Sequence, residues 1–428
     1  MLKNVPLPPA QALTGRGYEY ANPANIKPSV LSAAERDERW PLRPQALMRR
    51  AREQTGLDDF GPEPFLEPLE VLCRSLREEI DLSDSGHESA HGRLMTILVT
   101  RLRLEALWRR RPEILEQPIE RPLFVLGLPR SGTTFLQHLL SQDAGLRTVP
   151  YWELMNPLPL GDPEQAPPSP DPRIALARQA LARLHENAPE LVAMHRMEAE
   201  TPEEEIALVA LSFCSMAFEW SFSVPAYVEY YTRADHRAGY RYFKRVLQTL
   251  QWLRGGEQWL LKAPMHMEML GPLFEVFPDA AIVQTHRDPV TATVSLVDLT
   301  CYGRRYYFDH PHPLLVGRHL SDAVQRLLRR FVDYRDAHPQ REGQFLDVHF
   351  RDLMADPIGA VRAIYHLGGR ELTPAVEQAM RAWIADNPRG KHGEHDYAAA
   401  DFGIDVSERR EALRFYSERF NVPADGRV

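Results

Sequence analysis

RPLFVLGLPRSGTTFLQHLL, residues 121–140, runs from a short apolar stretch through a loop bounded by Gly127 and Gly132 into a segment with helical spacing. Leu123 to Leu128 is continuously apolar, the pattern of a strand buried on both faces. The two glycines permit a tight loop, and Phe135 to Leu140 resumes with helical periodicity. Backbone N–H groups of such a loop and of the helix start converge on an anion, so the segment predicts a phosphate cradle. The spacing G-x-x-x-x-G is that of the nucleotide P-loop. Thr133, however, stands where an NTPase has its lysine, and the loop's cation, Arg130, comes earlier. That departure argues against ordinary ATP and magnesium chemistry. The structural alternative is a strand–turn–helix whose glycines serve only the turn.

A chain of 428 residues, 44% hydrophobic and 26% charged, is globular and long enough for one large core with an appended subdomain or for two domains. A formal net charge of −8 gives no support for nucleic-acid binding as the main activity, so phosphate recognition must be local. Cys73, Cys214 and Cys301 are too scattered for a metal cluster or a disulfide framework, and a reducing compartment is expected. No apolar run of signal-peptide type opens the sequence, and no stretch reaches the eighteen or so apolar residues of a membrane span. A cytoplasmic protein is expected, with no membrane span and no metal.

The chain divides near Pro118. Residues 1–118 predict a helical N-terminal subdomain, with helices at Arg43–Thr55, Pro64–Asp81 and His91–Arg110. Residues 119–428 alternate strands and helices, which predicts an α/β domain whose P-loop-like parallel sheet is flanked by helices. Candidate strands are Leu123–Leu128, Trp259–Lys262, Ala281–Thr285 and Gln344–His349. Between the first two lies a helical insertion at about 156–254, expected to face an acceptor. Its opening, Asn156 to Pro172, holds seven prolines in seventeen residues and must be loop. Thr201-Pro-Glu-Glu204 reads as a capping box opening a helix that runs to about Phe222.

A second constellation, LLKAPMHMEMLGPLFEVFPDAAIVQTHRDPVTATVSL, spans Leu260 to Leu296 and makes a strand–helix–strand–helix unit. It brings Arg287 and, eight residues on, Ser295 to the C-terminal end of a strand, where together they can grip a second phosphate. PRSGTTFL resembles the 5′-phosphosulfate loop of sulfotransferases that use 3′-phosphoadenosine 5′-phosphosulfate (PAPS), and Arg287 with Ser295 resembles that family's 3′-phosphate pair. The resemblance covers roughly Pro122 onward and is nearest to the diverse bacterial branch carrying PRSGTT. VHFRDLMADPIGAVRAIYHLGG, from Val348, is similar to a strand–helix element of the family with a structural role. Arg389, Gly390 and Lys391 stand where the family brings a late basic-glycine loop over the 3′-phosphate, although their order differs from the Arg-Lys-Gly of many cytosolic members.

The resemblance implies PAPS as co-substrate and transfer of its sulfuryl group to a hydroxyl or amine. Arg130 and the segment Ser131, Gly132, Thr133, Thr134 and Phe135 would hold the phosphosulfate, and Lys262 would bridge the leaving phosphate and the moving group. Two residues compete as general base. Glu153, 23 residues after Arg130 and beside Tyr151 and Trp152, resembles the carboxylate base of several glycan and protein-tyrosine sulfotransferases; desolvation there would raise its pKa toward working pH. His266 resembles the histidine of small-molecule members, with its spacing from the lysine stretched to Lys-x-x-x-His. The acceptor, whether small molecule, lipid, carbohydrate or peptide, is open, as is the oligomeric state. A P-loop kinase or NTPase, or a catalytically silent nucleotide-binding protein, are the alternatives.

Other features read first as structure. The acidic run Glu198–Glu205 reads as a solvated helix start. His195 reads as a surface or structural residue, and Phe218, Trp220, Phe222, Tyr227, Tyr230 and Tyr231 read as core before acceptor pocket. His310, Pro311 and His312 form a polar loop that would gate the site.

Overall fold

The computed structural model describes residues 15–21, 29–165, 167–187, 194, 197–222, 224–305, 307–308, 312–388 and 398–426. Five parallel strands form one sheet in the order β2-β3-β1-β4-β5: β1 Leu123–Leu126, β2 Leu146–Arg147, β3 Gln258–Lys262, β4 Ala281–His286 and β5 Phe345–His349. β1 is central, with Leu123 paired to Leu260 of β3 on one side and to Ala281 of β4 on the other. From β1 the chain fills one side of the sheet and then crosses to the other. The C-terminal ends of β3, β1 and β4 therefore flank the crevice where open α/β sheets place ligands.

The alternation of side chains along each strand assigns the two cores. Phe124, Leu126, Leu261 and Ile282 point into the larger one, whereas Leu123, Val125, Leu260 and Val283 point to the opposite face and meet Leu136, Leu139, Val361 and Ile364. β2 is absent from the sequence reading because two residues, one of them an arginine, carry no period.

The N-terminal helices run Pro44–Thr55, Leu66–Glu78 and Asp84–Arg110. The last starts earlier than its apolar periodicity implies, because Ser83 caps it by accepting the Gly86 amide. Their apolar residues, among them Leu47, Leu72, Leu98 and Leu107, continue without a break into the core beneath the sheet. Arg101 fastens them there. It is 2% exposed, donates to the Phe60 carbonyl at 2.7 and 3.0 Å and to the Leu211 carbonyl at 2.9 Å, and lies 4.2 Å from the ring centres of both Phe65 and Tyr242.

The insertion departs from the expected pattern. Thr201–Glu204 is no capping box: Pro202 bridges to Pro150, and the chain stays irregular to Glu205. The single helix expected to reach Phe222 is two short ones, Ile206–Val209 and Met216–Phe222, separated where Phe213 adopts a left-handed φ of 56°. No helix among the described residues is long and apolar enough to cross a membrane.

Arg101→Met keeps most of the stem volume but leaves two buried carbonyls without a donor. Urea denaturation should show a loss of about 2–4 kcal/mol; an unchanged midpoint would mean that Arg101 contributes no fastening.

Candidate functional site

The loop after β1 is shaped by its own side chains. Gly127 has φ 152° and Gly132 φ 92°, and a Cβ on Gly127 would overlap the Thr285 hydroxyl. Ser131 Oγ lies 2.5 Å from the Leu128 carbonyl it donates to and 2.7 Å from Thr285 Oγ1, while its N–H closes a turn onto the same carbonyl at 3.1 Å. Ser131 therefore builds the loop, and its amide is spent within it, contrary to the expectation that it faces an anion. The helix that follows, Thr133–Leu140, has its first capping bond from Leu136 N to the Gly132 carbonyl, so the amides of Thr133, Thr134 and Phe135 have no intrahelical acceptor. Arg130 has φ 72° and an exposed side chain whose Nη1 reaches the Met194 carbonyl at 3.1 Å.

Arg287, immediately after β4, joins this loop. Its Nη1 donates to the Arg130 carbonyl at 2.8 Å, its Nε to Asp425 Oδ2 at 2.9 Å, and its guanidinium lies 4.7 Å from the centre of the Phe350 ring. The Asp425 N–H in turn donates to Asp288 at 2.9 Å. A cavity of about 300 Å³ opens beside Arg287, bounded by His349, Phe350, Arg351 and Val422. Ser295 is buried in the Pro289–Arg304 helix, and no bond joins it to Arg287 among the described residues. The sequence pair is thus resolved into one arginine on the loop and one hydroxyl inside a helix.

The end of β3 carries a second cluster. Lys262, 1% exposed, places Nζ 2.8 Å from Glu204 Oε1, and its N–H donates to Glu205 Oε2 at 2.8 Å. Glu205 Oε1 is 2.8 Å from His266 Nε2, and His266 Nδ1 is 2.6 Å from the Tyr240 hydroxyl. With Glu205 accepting as a carboxylate, Nε2 carries the imidazole proton and Tyr240 donates to Nδ1. Burial pushes the Tyr240 hydroxyl well above the usual phenol range, which keeps it a donor. Glu205 and His266 are both 0% exposed, and both ring nitrogens of His266 are engaged. Within the acidic run Glu198 and Glu200 are exposed, but Glu203 to Glu205 are no solvated helix start. The segment that carries it is pinned by Glu203 N to the Val149 carbonyl at 2.9 Å and by Gln137 Nε2 to the Glu203 carbonyl at 3.3 Å. Sequence reasoning missed Glu204, Glu205 and Tyr240; three consecutive acids in an irregular segment offer no spacing from which their direction could be read.

Glu153 lies in a separate cluster. Arg147 Nη2 meets both its oxygens at 2.7 and 2.8 Å, and Arg254 adds contacts at 3.2 and 3.3 Å, with the Glu153 side chain 1% exposed. Its neighbour Trp152 is indeed buried, but what surrounds the carboxylate is two guanidinium groups, and these, not apolar desolvation, set its surroundings. Arg389, Gly390, Lys391, His195, His310 and Pro311 lie outside the described residues. Phe218, Phe222, Tyr227 and Tyr231 belong to the core, as first read.

A model of the sulfotransferase family matches residues 122–374, more than half of the chain. The chain belongs to that family. It is 29% identical over 158 residues to the omega-hydroxy-beta-dihydromenaquinone-9 sulfotransferase Stf3 of Mycobacterium bovis and of Mycobacterium tuberculosis. That match covers 35% of this chain and 37% of the relative, so little more than a third of the length of these curated relatives is matched. Among solved structures, sulfotransferase STF9 from Mycobacterium avium superposes with a TM-score of 0.80 at 27% identity, covering 90% of this chain and 98% of that one. Sulfotransferase STF1 from Mycobacterium tuberculosis gives 0.74 at 30% identity, covering 86% and 98%.

Gly127→Ala forces a side chain into the Thr285 contact at a φ that alanine rarely adopts. It should cost about 1–3 kcal/mol and move the loop, lowering the melting temperature; a protein as stable as the parent would show that the loop tolerates displacement.

Proposed function

We propose that the protein transfers the sulfuryl group of PAPS to a hydroxyl or amine acceptor. The observation that carries this reading is the bond from Arg287 to the Arg130 carbonyl, which unites two anion-binding elements at the ends of adjacent parallel strands. The unpaired first-turn amides of Thr133 to Phe135 suit a phosphosulfate, and the guanidinium of Arg287 suits a second phosphate. The Asp425 carboxylate already on that guanidinium supports its fitness for an anion. PAPS, when bound, supplies an electrophilic sulfur and a phosphate leaving group. Lys262 would neutralise the charge that gathers on the leaving oxygen, and Arg130 the charge on the non-bridging oxygens. Thr133 in place of a P-loop lysine disfavours an NTPase.

Stf3 is by name an omega-hydroxy-beta-dihydromenaquinone-9 sulfotransferase, which puts lipid alcohols first among acceptors to try. A screen with isotopically labelled PAPS against lipid alcohols, phenols, steroids, sugars and peptides tests the reading directly. Stabilisation by 3′-phosphoadenosine 5′-phosphate (PAP) without magnesium, read by thermal shift, tests donor recognition separately.

Arg287→Ala should weaken PAP binding by about 1.5–3 kcal/mol while sparing adenosine 5′-phosphosulfate, which lacks the 3′-phosphate. Equal losses for both nucleotides, measured by calorimetry, would remove Arg287 from the 3′-phosphate. Lys262→Ala should lower turnover on the order of 10²-fold or more and leave PAP affinity within a few-fold, as expected of a group used mainly in the transition state. Unchanged turnover would return Lys262 to a purely structural role.

A further inference from the structure

We propose that Glu204 takes the proton of the acceptor, and that the buried chain Glu205–His266–Tyr240 holds the segment carrying it against Lys262. The proposal rests on the sulfuryl-transfer reading above and deepens it at the same site.

A proton acceptor for this reaction has to stand beside the cation that serves the leaving oxygen and keep one side open to an incoming hydroxyl or amine. Glu153 fails the second condition, since Arg147 and Arg254 close on both its oxygens. His266 fails it too, with both ring nitrogens engaged and no exposure. Glu205 is consumed by the Lys262 amide and by His266. Glu204 meets both conditions: one oxygen lies 2.8 Å from Lys262 Nζ, and its side chain is 29% exposed.

Its position is enforced from two sides. The Glu203 carbonyl takes a hydrogen bond from Gln137, on the helix that begins at the phosphate loop, and the neighbouring Glu205 is locked to the end of β3. Glu204 therefore sits on a stretch spanning from the loop's helix to the lysine strand, which brings an acceptor bound there to the side of the phosphosulfate.

The step balances. The acceptor oxygen forms a bond to sulfur as the bond from sulfur to the bridging phosphate oxygen breaks; the electron pair of that bond stays on the phosphate, and the acceptor's proton passes to the Glu204 carboxylate. Before reaction, Glu204 and Lys262 neutralise each other. As the leaving phosphate claims the lysine, the proton neutralises the glutamate, so no buried charge is left without a partner at any stage. Neither Glu153 nor His266 offers this exchange, because neither touches Lys262.

The test uses the full chain and follows PAP release from PAPS, both to water and with whichever acceptor the screen returns. Wild-type protein that PAP does not stabilise and that releases no PAP would overturn the donor reading, and this proposal with it. Given an active wild type, Glu204→Gln should lower PAP release by roughly 10²–10⁴ with the PAP-induced thermal shift retained. Glu204→Asp, which keeps a carboxylate, should retain a larger share of the rate than Glu204→Gln. Glu153→Gln should cost less turnover per folded molecule than Glu204→Gln. Turnover of Glu204→Gln within about threefold of wild type, or a Gln variant faster than the Asp variant, would overturn the role of Glu204 while leaving the donor reading intact.

Discussion

A carboxylate with no exposure to water is tolerated only when its lone pairs are met, and Glu205 is one of the groups in this protein on which that condition bears. It is satisfied by a backbone amide at the end of β3 and by an imidazole itself held by a buried phenol. Removing any member strands the others, since all three are buried and His266 packs against Phe124 and Phe243. An irregular stretch of chain is thereby tied to the end of β3. That tie sets Glu204 beside Lys262, while Gln137, on the helix after β1, holds the neighbouring Glu203.

The sheet supplies the other half of the arrangement. Parallel strands buried on both faces present all their C-terminal ends along one edge, so groups following β1, β3 and β4 meet there without any of them being near in sequence. On that edge the residues divide by chemistry. The loop side offers backbone amides and arginines, and the β3 side offers one lysine among carboxylates. The second cationic cluster, Arg147 and Arg254 around Glu153, also binds secondary structure together: Arg147 belongs to β2, and Arg254 ends the long helix that leads into β3.

Much of the fold was legible because burial on two faces leaves a simple trace. Leu123–Leu126, Trp259–Leu261 and Ala281–Val283 are apolar runs of strand length, and the glycines of the loop after β1 mark a backbone that side chains would block. β2 left no trace, and the helix expected from Thr201 failed because Pro202 pairs with Pro150 across a loop, a contact no local pattern encodes. The site was legible only where position along a strand decides direction, as at Lys262 and Arg287. The surroundings of Glu153 could not be read from its aromatic neighbours in sequence, since one of its two arginines, Arg254, arrives from 101 residues away. Glu204 and Glu205 escaped for the same reason: their directions are set by tertiary contacts in a segment without period.

The bond between Arg287 and the loop closes across 157 residues, and that between Arg287 and Asp425 across a further 138. Contacts of such separation repay the entropy of closing the chain only after the intervening strands have paired, which makes this a topology of high contact order. The groups that clamp the loop after β1 belong to distant parts of the chain. That edge of the sheet is therefore assembled from parts of the chain that meet only in the folded protein.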